Sequence, residues 1–313
     1  MKAIILKDFG GAENLLFTNL PTPTLHDHEV LVQVSAIGIN PIDIKTRNGQ
    51  GAAQQLKNEQ PIILGWDISG IIQETGKAVT RFKKGDAVFG MVNFPGHGKA
   101  YAEYVAAPEA HLALKPFTIS HGEAAATPLA ALTAWQAFTK QVSVQPGQKV
   151  LIHAASGGVG HFAVQIAKHL GAYVIGTSSA TNKEFVLSLG VDEHIDYNAR
   201  QFEEVITDAD IVLDAFGGDH AVRSLAATKP GGTVISLPSA TSANIAQQAE
   251  AVGKHGVHFR VSSSGADMEQ LAVLLLKGTI HTHVSHLFEW KDIAAAHKQV
   301  ESGRTTGKVV VVI

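Results

Sequence analysis

The sequence predicts an α/β chain in two parts, a β-rich part and a six-stranded doubly wound parallel sheet. Three observations carry this. The chain has 313 residues, more than one hydrophobic core usually organises. Its opening third reads as short strands and loops. From about Gly122 onward, short Val/Ile/Leu-rich runs bounded by Gly, Pro or Asp alternate strictly with helical patches, the pattern of parallel strands covered on both faces.

In the first part, Glu29-Val30-Leu31-Val32-Gln33-Val34 alternates apolar residues, and Asp86-Ala87-Val88-Phe89-Gly90 reads as a second strand. In the second part the expected strands are residues 150–154, 173–177, 194–197, 211–215, 233–237 and 257–261. Six such strands suit a complete doubly wound sheet. Residues 268–277 form one more amphipathic helix, whose apolar side reads as core-facing, and residues 308–313 form a last strand.

Composition narrows the function. Hydrophobic residues are 45% and charged residues 17%, which excludes disordered and coiled-coil classes. A formal charge of −3 with no long run of one sign argues against nucleic acid or a polybasic membrane surface as partner. Apolar runs such as residues 271–276 fall far short of the roughly 20 residues of a spanning helix. Met1-Lys2-Ala3-Ile4-Ile5-Leu6 meets Lys7 and Asp8 too early for a secretory apolar region, so a cytoplasmic location is expected. With no cysteine, disulfides, thiol nucleophiles and thiolate zinc sites are excluded.

The most specific motif is Lys149-Val150-Leu151-Ile152-His153-Ala154-Ala155-Ser156-Gly157-Gly158-Val159-Gly160, a buried strand entering a Gly-rich turn. Val159, Phe162, Ala163, Ile166, Ala167 and Leu170 follow at helical spacing, and Gly171 is placed to end the helix. Aligned to G-x-G-x-x-G, Ala155 takes the first position, Gly157 the second and Gly160 the third. Such a turn binds a dinucleotide pyrophosphate at the helix N-terminus, with contacts expected from Ser156, Gly157, Gly158, Val159 and Gly160.

An NAD site carries an acidic residue at the end of the second strand. Here that stretch is Gly176-Thr177-Ser178-Ser179-Ala180-Thr181-Asn182-Lys183, with no carboxylate. Hydroxyls of Thr177, Ser178 and Ser179 and the Lys183 ammonium suit a 2′-phosphate, so NADPH is the expected cofactor. Lys183 also reads as a solvated residue in a helical turn opened by a Thr181-x-x-Glu184 capping box.

At these residues the chain resembles the medium-chain dehydrogenase/reductase superfamily, specifically its zinc-independent quinone and enone oxidoreductases. The resemblance rests on Gly38-Ile39-Asn40-Pro41-Ile42-Asp43, Gly65-Trp66-Asp67-Ile68-Ser69-Gly70, Ala102-Glu103-Tyr104-Val105, Leu132-Thr133-Ala134-Trp135, the Gly-rich loop and Gly307-Lys308-Val309-Val310. It covers nearly the whole chain. It implies a GroES-like catalytic domain over residues 1–121, completed by 265–313, and a Rossmann NADPH-binding domain over 122–264. It also implies a homodimer, joined through the edge strand at 257–261.

Zinc-dependent relatives carry Cys where this chain has Asn40 and Gly-His-Glu where it has Gly65-Trp66-Asp67, so the resemblance implies no metal. It places pocket residues at Asn40, Asp43 and Lys45. In an extended segment Asp43 and Lys45 share a side, either as a surface ion pair or as a pair orienting substrate, with Lys45 supplying a proton or charge to a developing enolate. Thr133 is expected on the nicotinamide side and Tyr197 near the adenosine phosphate. Phe216 and Leu237 follow the fourth and fifth strands, where ligands collect. Each of these also has a plain core or loop reading.

His281-x-His283-x-x-His286 is the densest histidine group, yet in an extended segment His286 faces away from the other two, which reads as structural. Ala154 breaks the first position of a G-x-S-x-G nucleophile elbow around Ser156, which excludes hydrolase chemistry. The expected function is NADPH-dependent hydride transfer to a quinone or an α,β-unsaturated carbonyl. The competing readings are a non-catalytic NADPH-binding regulator and an enoyl reductase acting on acyl thioesters.

Overall fold

Alternating apolar residues at the start of the chain become β1 (Lys2–Leu6) and β2 (Leu15–Asn19), an antiparallel pair, followed by β3 (Glu29–Ile39). Helices α1 (Pro41–Arg47) and α2 (Ala53–Leu56) precede β4 (Asp67–Thr75), β5 (Ala87–Met91), β6 (Tyr104–Pro108) and β7 (Leu112–Leu114). Next come α3 (His121–Ala126), capped by Ser120, whose Oγ accepts from Glu123 N, and α4 (Pro128–Gln136). The computed structural model describes residues 1–238, 242 and 244–313. It divides the chain into two units, the first being 1–132, 262–278 and 282–313, the second 133–261 and 279–281.

The second unit contains β8 (Lys149–Ile152), α5 (Gly160–His169), β9 (Tyr173–Ser178), α6 (Lys183–Ser188), β10 (Glu193–Asp196) and α7 (Phe202–Val205). It continues with β11 (Ala209–Asp214), α8 (Gly218–Ala227), β12 (Thr228–Ser236), α9 (Ile245–Glu250) and β13 (His255–His258). All pairings are parallel, in the order β10-β9-β8-β11-β12-β13. Numbered within the unit this is 3-2-1-4-5-6, the doubly wound order of dinucleotide-binding sheets. Burial on both faces explains the uninterrupted apolar runs: Leu151, Ile175, Val212 and Val234 pack in one cluster with Leu225 and Ile245.

The chain then returns with α10 (Gly265–Leu276), β14 (Val284–Glu289), α11 (Ile293–Glu301) and β15 (Lys308–Val312). β15 pairs antiparallel with β3, Val310 opposite Gly38, in a sheet ordered β14-β15-β3-β4-β5-β7 with β6 also on β3. Helix α3 packs on this sheet through Ala125 and Ala126 against Ala36 and Val310. The approach is close at Gly38, where a Cβ would stand 2.2 Å from the carbonyl oxygen of Ala125.

Several expectations shift. The expected boundary at 121/122 stands at 132/133, because α3 packs on β3, β4 and β15. The strand expected at 257–261 is β13, two residues earlier, and it carries His255, Gly256 and His258 at the end of the sheet. The helix expected at 268–277 is α10, with Met268, Leu271, Leu274 and Leu275 buried and Ser264 capping its start. Among the described residues no helix is long and apolar enough to cross a membrane.

Candidate active site

In the second unit, β8 runs into a turn at His153-Ala154-Ala155 and α5 starts at Gly160. Gly157 N donates to Ala154 O (2.8 Å) and His161 N to Gly157 O (3.0 Å), which closes the turn onto the helix. A Cβ on Gly160 would stand 2.0 Å from Ala154 O, so this third position accepts only glycine. The left-handed residue of the turn is Ala154, at φ 51°, one position before Ala155, which takes the first place of the motif. Gly171, at φ 86°, follows the Leu170 C-cap of α5, as its spacing predicts.

Ser156, Gly157, Gly158 and Val159 lie half-buried along the turn, where backbone remains accessible. Asn182 reaches back to this turn, its Nδ2 donating to Ser156 Oγ (3.1 Å). Ala155 N donates to Thr177 O (2.9 Å), placing the end of β9 beside the turn. There Thr177 and Ser178 are buried, Ser179 is half-buried and Lys183 is exposed at the start of α6. The capping box expected at Thr181 does not form: Thr181 sits in a 3-10 turn (Ala180–Asn182), and Asn182 is the N-cap residue of α6. Tyr197 follows β10, 56% exposed, with its N–H on Ser178 O (3.3 Å).

Two residues that sequence reasoning passed over organise this end of the sheet. Asp214, fully buried at the end of β11, accepts at Oδ1 from Phe216 N (3.2 Å) and His220 Nδ1 (2.8 Å). Its Oδ2 accepts from Gly217 N (2.8 Å) and Ser236 Oγ (2.7 Å). Burial alone would raise its pKa, but these donors outweigh it and hold the carboxyl below its usual range. Asp214 therefore fixes the loop that presents Phe216, 54% exposed, while Leu237 is half-buried with its N–H on Asp214 O (3.0 Å). His153, buried at the end of β8, bridges Thr177 Oγ1 and Ser224 Oγ, both at 3.2 Å. Burial, and then the neighbouring His220, push its pKa down to about 3. A carboxylate ending an apolar strand was the available signal for Asp214; His153 gave none.

The residues fit an NADPH cofactor: a turn closed by an obligatory glycine, half-buried backbone at 156–159, and a second strand ending without a carboxylate beside Lys183. Thr133 is buried within α4, and the chain passes from the first unit to the second between Leu132 and Thr133.

In the first unit the segment after β3 is helical, not extended. Pro41 opens α1, where a fixed φ and a missing N–H cost nothing. Successive side chains are therefore about 100° apart and Asp43 and Lys45 point to opposite sides of the helix. Asp43 is buried, Lys45 is exposed, and the expected pair between them is not formed. Buried Arg47 ties α1 to α11, its Nη2 donating to both oxygens of Glu301 (3.0 and 3.1 Å).

Asn40, Asp43 and Asp67 instead belong to a buried polar cluster. Asn40 N donates to Asp43 Oδ2 (2.7 Å) and Asn40 Nδ2 to Asp67 Oδ2 (2.9 Å). Leu129 N donates to both Asp67 oxygens (3.0 and 3.1 Å). Lys308, buried at the start of β15, donates from Nζ to Asn40 Oδ1. Burial raises Asp43 to about 7 and Asp67 to about 6, and it lowers Lys308 against the pull of both carboxylates. Tyr101, above its usual range through burial and then Asp43, meets His297 Nε2 at 2.9 Å.

This cluster does not fit zinc. An ammonium occupies the carbonyl oxygen of Asn40, and Trp66 is buried, donating from Nε1 to Gly96 O (2.7 Å) and packing edge-on against Phe94. Among the described residues no three His, Cys, Asp or Glu side chains group so as to hold a metal ion.

Comparisons with known proteins agree with this architecture. Residues 26–117 match the alcohol dehydrogenase GroES-like domain, and residues 189–311 match the zinc-binding dehydrogenase family. The 2-methylene-furan-3-one reductase of Solanum lycopersicum is 34% identical, over 99% of this chain and 79% of that protein. The chloroplastic NADPH-dependent alkenal/one oxidoreductase of Arabidopsis thaliana is likewise 34% identical, over 99% and 79%. The structure of the quinone oxidoreductase from Coxiella burnetii superposes with a TM-score of 0.95 at 36% identity, over 100% of this chain and 99% of that one. With the strand order, the Gly-rich turn and full-length relatives of this kind together, the chain belongs to the medium-chain dehydrogenase/reductase superfamily, among its quinone and enone oxidoreductases.

Proposed function

We propose that the protein is an NADPH-dependent oxidoreductase that delivers hydride to a quinone or an α,β-unsaturated carbonyl without zinc. The observation that carries this reading is the ammonium of Lys308 on Asn40, where zinc-dependent members of the superfamily place a metal ligand. A carbonyl with no Lewis acid behind it is a poor hydride acceptor, whereas a conjugated acceptor spreads its charge onto an oxygen that one donor can stabilise. The relatives named for alkenal/one and furanone reduction support the same acceptors.

The second unit holds the cofactor. Ser156, Gly157, Gly158, Val159 and Gly160 receive the pyrophosphate, and Thr177, Ser178, Ser179, Lys183 and Tyr197 surround the adenosine phosphate. Phe216, Leu237 and Thr133 line the path toward the nicotinamide. Bound NADPH supplies the hydride. The β-carbon of an enone then gains a C–H bond, the electron pair of the double bond moves toward oxygen, and the α-carbon is left to take a proton. In this reading the donor to the enolate oxygen is Lys45, which is exposed on α1 and forms no ion pair among the described residues. Asn40 and Asp43 fix the first turn of α1 and so the direction of Lys45.

Among the described residues β13 ends the second unit's sheet with one side unpaired, which supports a homodimer through that strand. The whole reading is tested by offering NADPH with a panel of quinones, enones and simple ketones and following its absorbance. Acceptor-dependent oxidation with quinones and enones, unaffected by a chelator, is expected. Oxidation confined to ketones, or restored only by added zinc, overturns it.

A further inference from the structure

His194 stands beside the end of β9, where the NADPH reading proposed above puts the adenosine end of the cofactor. It lies on β10, beside Gly176 of β9, and its Nε2 is 2.8 Å from Ser178 Oγ. Ser178 Oγ is also 3.0 Å from Ser179 O. A serine hydroxyl has one proton to donate. Both contacts are satisfied at once only if Ser178 donates to Ser179 O and His194 donates from Nε2. The ring is half-exposed, so an incoming ligand can reach it.

The charged groups acting on His194 are Lys183 from α6 and Asp196 from its own strand. Burial and then Lys183 lower its pKa, with Asp196 opposing. A protonated His194 and the Lys183 ammonium repel each other, and a compact dianion attracts both. The 2′-phosphate of NADPH is such a group, and NADH lacks it.

We infer that His194 is a specificity-determining residue for the 2′-phosphate of NADPH, taking up a proton as NADPH binds and not as NADH binds. The inference rests on the NADPH reading proposed above. Because the proton arrives with the phosphate, the preference for NADPH over NADH is present at neutral pH and is lost as pH rises through the pKa that His194 has in the complex. The phosphate's own second ionisation lies near about pH 6. The informative window is therefore above it.

The test measures dissociation constants for NADPH and NADH by isothermal titration between about pH 6.5 and about pH 8.5, for the wild type, His194→Gln and His194→Lys. In the wild type the ratio of the NADH to the NADPH constant should fall with pH, by up to about tenfold per unit, the limit for one linked proton. His194→Gln keeps a donor to Ser178 but no charge, so its ratio should be lower near neutrality and flat, with NADH affinity unchanged. His194→Lys should restore a high, flat ratio. A wild-type ratio that falls with pH equally in His194→Gln overturns the inference and leaves the NADPH reading intact. A wild type that prefers NADPH at no pH overturns both.

Discussion

Lys308 Nζ donates to Asn40 Oδ1 while Asn40 Nδ2 donates to Asp67 Oδ2, so one amide relays between a buried cation and a buried carboxylate. Removing the cation leaves Asp67 and Asp43 buried without a positive partner, and breaking a buried pair in this way typically costs about 3–5 kcal/mol. Lys308→Met should lower unfolding free energy by that order in urea titrations. Lys308→Met combined with Asp67→Asn should recover a large part of it. Equal losses in the single and double variants would show that the cluster is not electrostatically coupled.

A carboxylate at the end of β9 should reverse cofactor choice. Ser179 is half-buried at the position where NAD sites carry an acidic residue. Ser179→Asp should weaken NADPH binding by about 10- to 100-fold, as one like charge a few ångströms away costs about 1–3 kcal/mol at a partly screened site, while NADH binding holds or improves. Unchanged NADPH affinity would place the 2′-phosphate elsewhere.

Lys45→Ala should fold and bind NADPH as the wild type does yet lose enone reduction by roughly 10²-fold, the usual effect of deleting one oxyanion donor, about 3 kcal/mol. Quinones should suffer less, since their reduced oxygens take protons from water. Steady-state rates with one enone and one quinone separate these outcomes, and near wild-type enone turnover would assign the donor to another group.

Acid stability should depend on opposing pairs of buried groups. His153 and His297 titrate near about 3 in the fold against 6.5 for a free imidazole. Unfolded chains therefore bind two protons that the fold refuses, and stability falls as pH drops below 6.5. Asp43 and Asp67, raised to about 7 and about 6, act with the opposite sign, because the fold keeps protons that unfolded carboxyls release. Relative to wild type, His153→Gln should gain about 1.4 kcal/mol of stability per pH unit of acidification between about pH 6.5 and about pH 4. Urea midpoints across that range read the slope difference, and parallel profiles would mean that His153 is protonated in the fold.

The parallel sheet was legible because strands buried on both faces must be apolar without interruption, and all six runs were found. Their ends were less so: β12 begins at Thr228 rather than at 233, since Lys229-Pro230-Gly231-Gly232 has the composition of a turn. Within the Gly-rich turn the glycine spacing located Gly157 and Gly160, but the left-handed residue is an alanine, which carries no composition signal. The segment after Asn40 misled because proline suits both an extended chain and the first turn of a helix. The polar cluster was legible only in part: the resemblance marked Asn40 and Asp43, but Asp67, Tyr101, His297 and Lys308 join them through tertiary packing alone, and each by itself looks like an ordinary polar residue.

The position of β15 between β14 and β3 has a consequence for synthesis. The second unit is almost continuous in sequence and can complete its sheet as soon as it leaves the ribosome. The first unit must wait with the Ala36–Ile39 stretch of β3 bare on one side until the last strand is made, because that stretch is paired by Val309, Val310, Val311 and Val312, whereas β6 covers the residues before it. For most of translation the older half of the nascent chain is thus the unfinished one, exposing an unpaired apolar strand edge of the kind that recruits chaperones or aggregates.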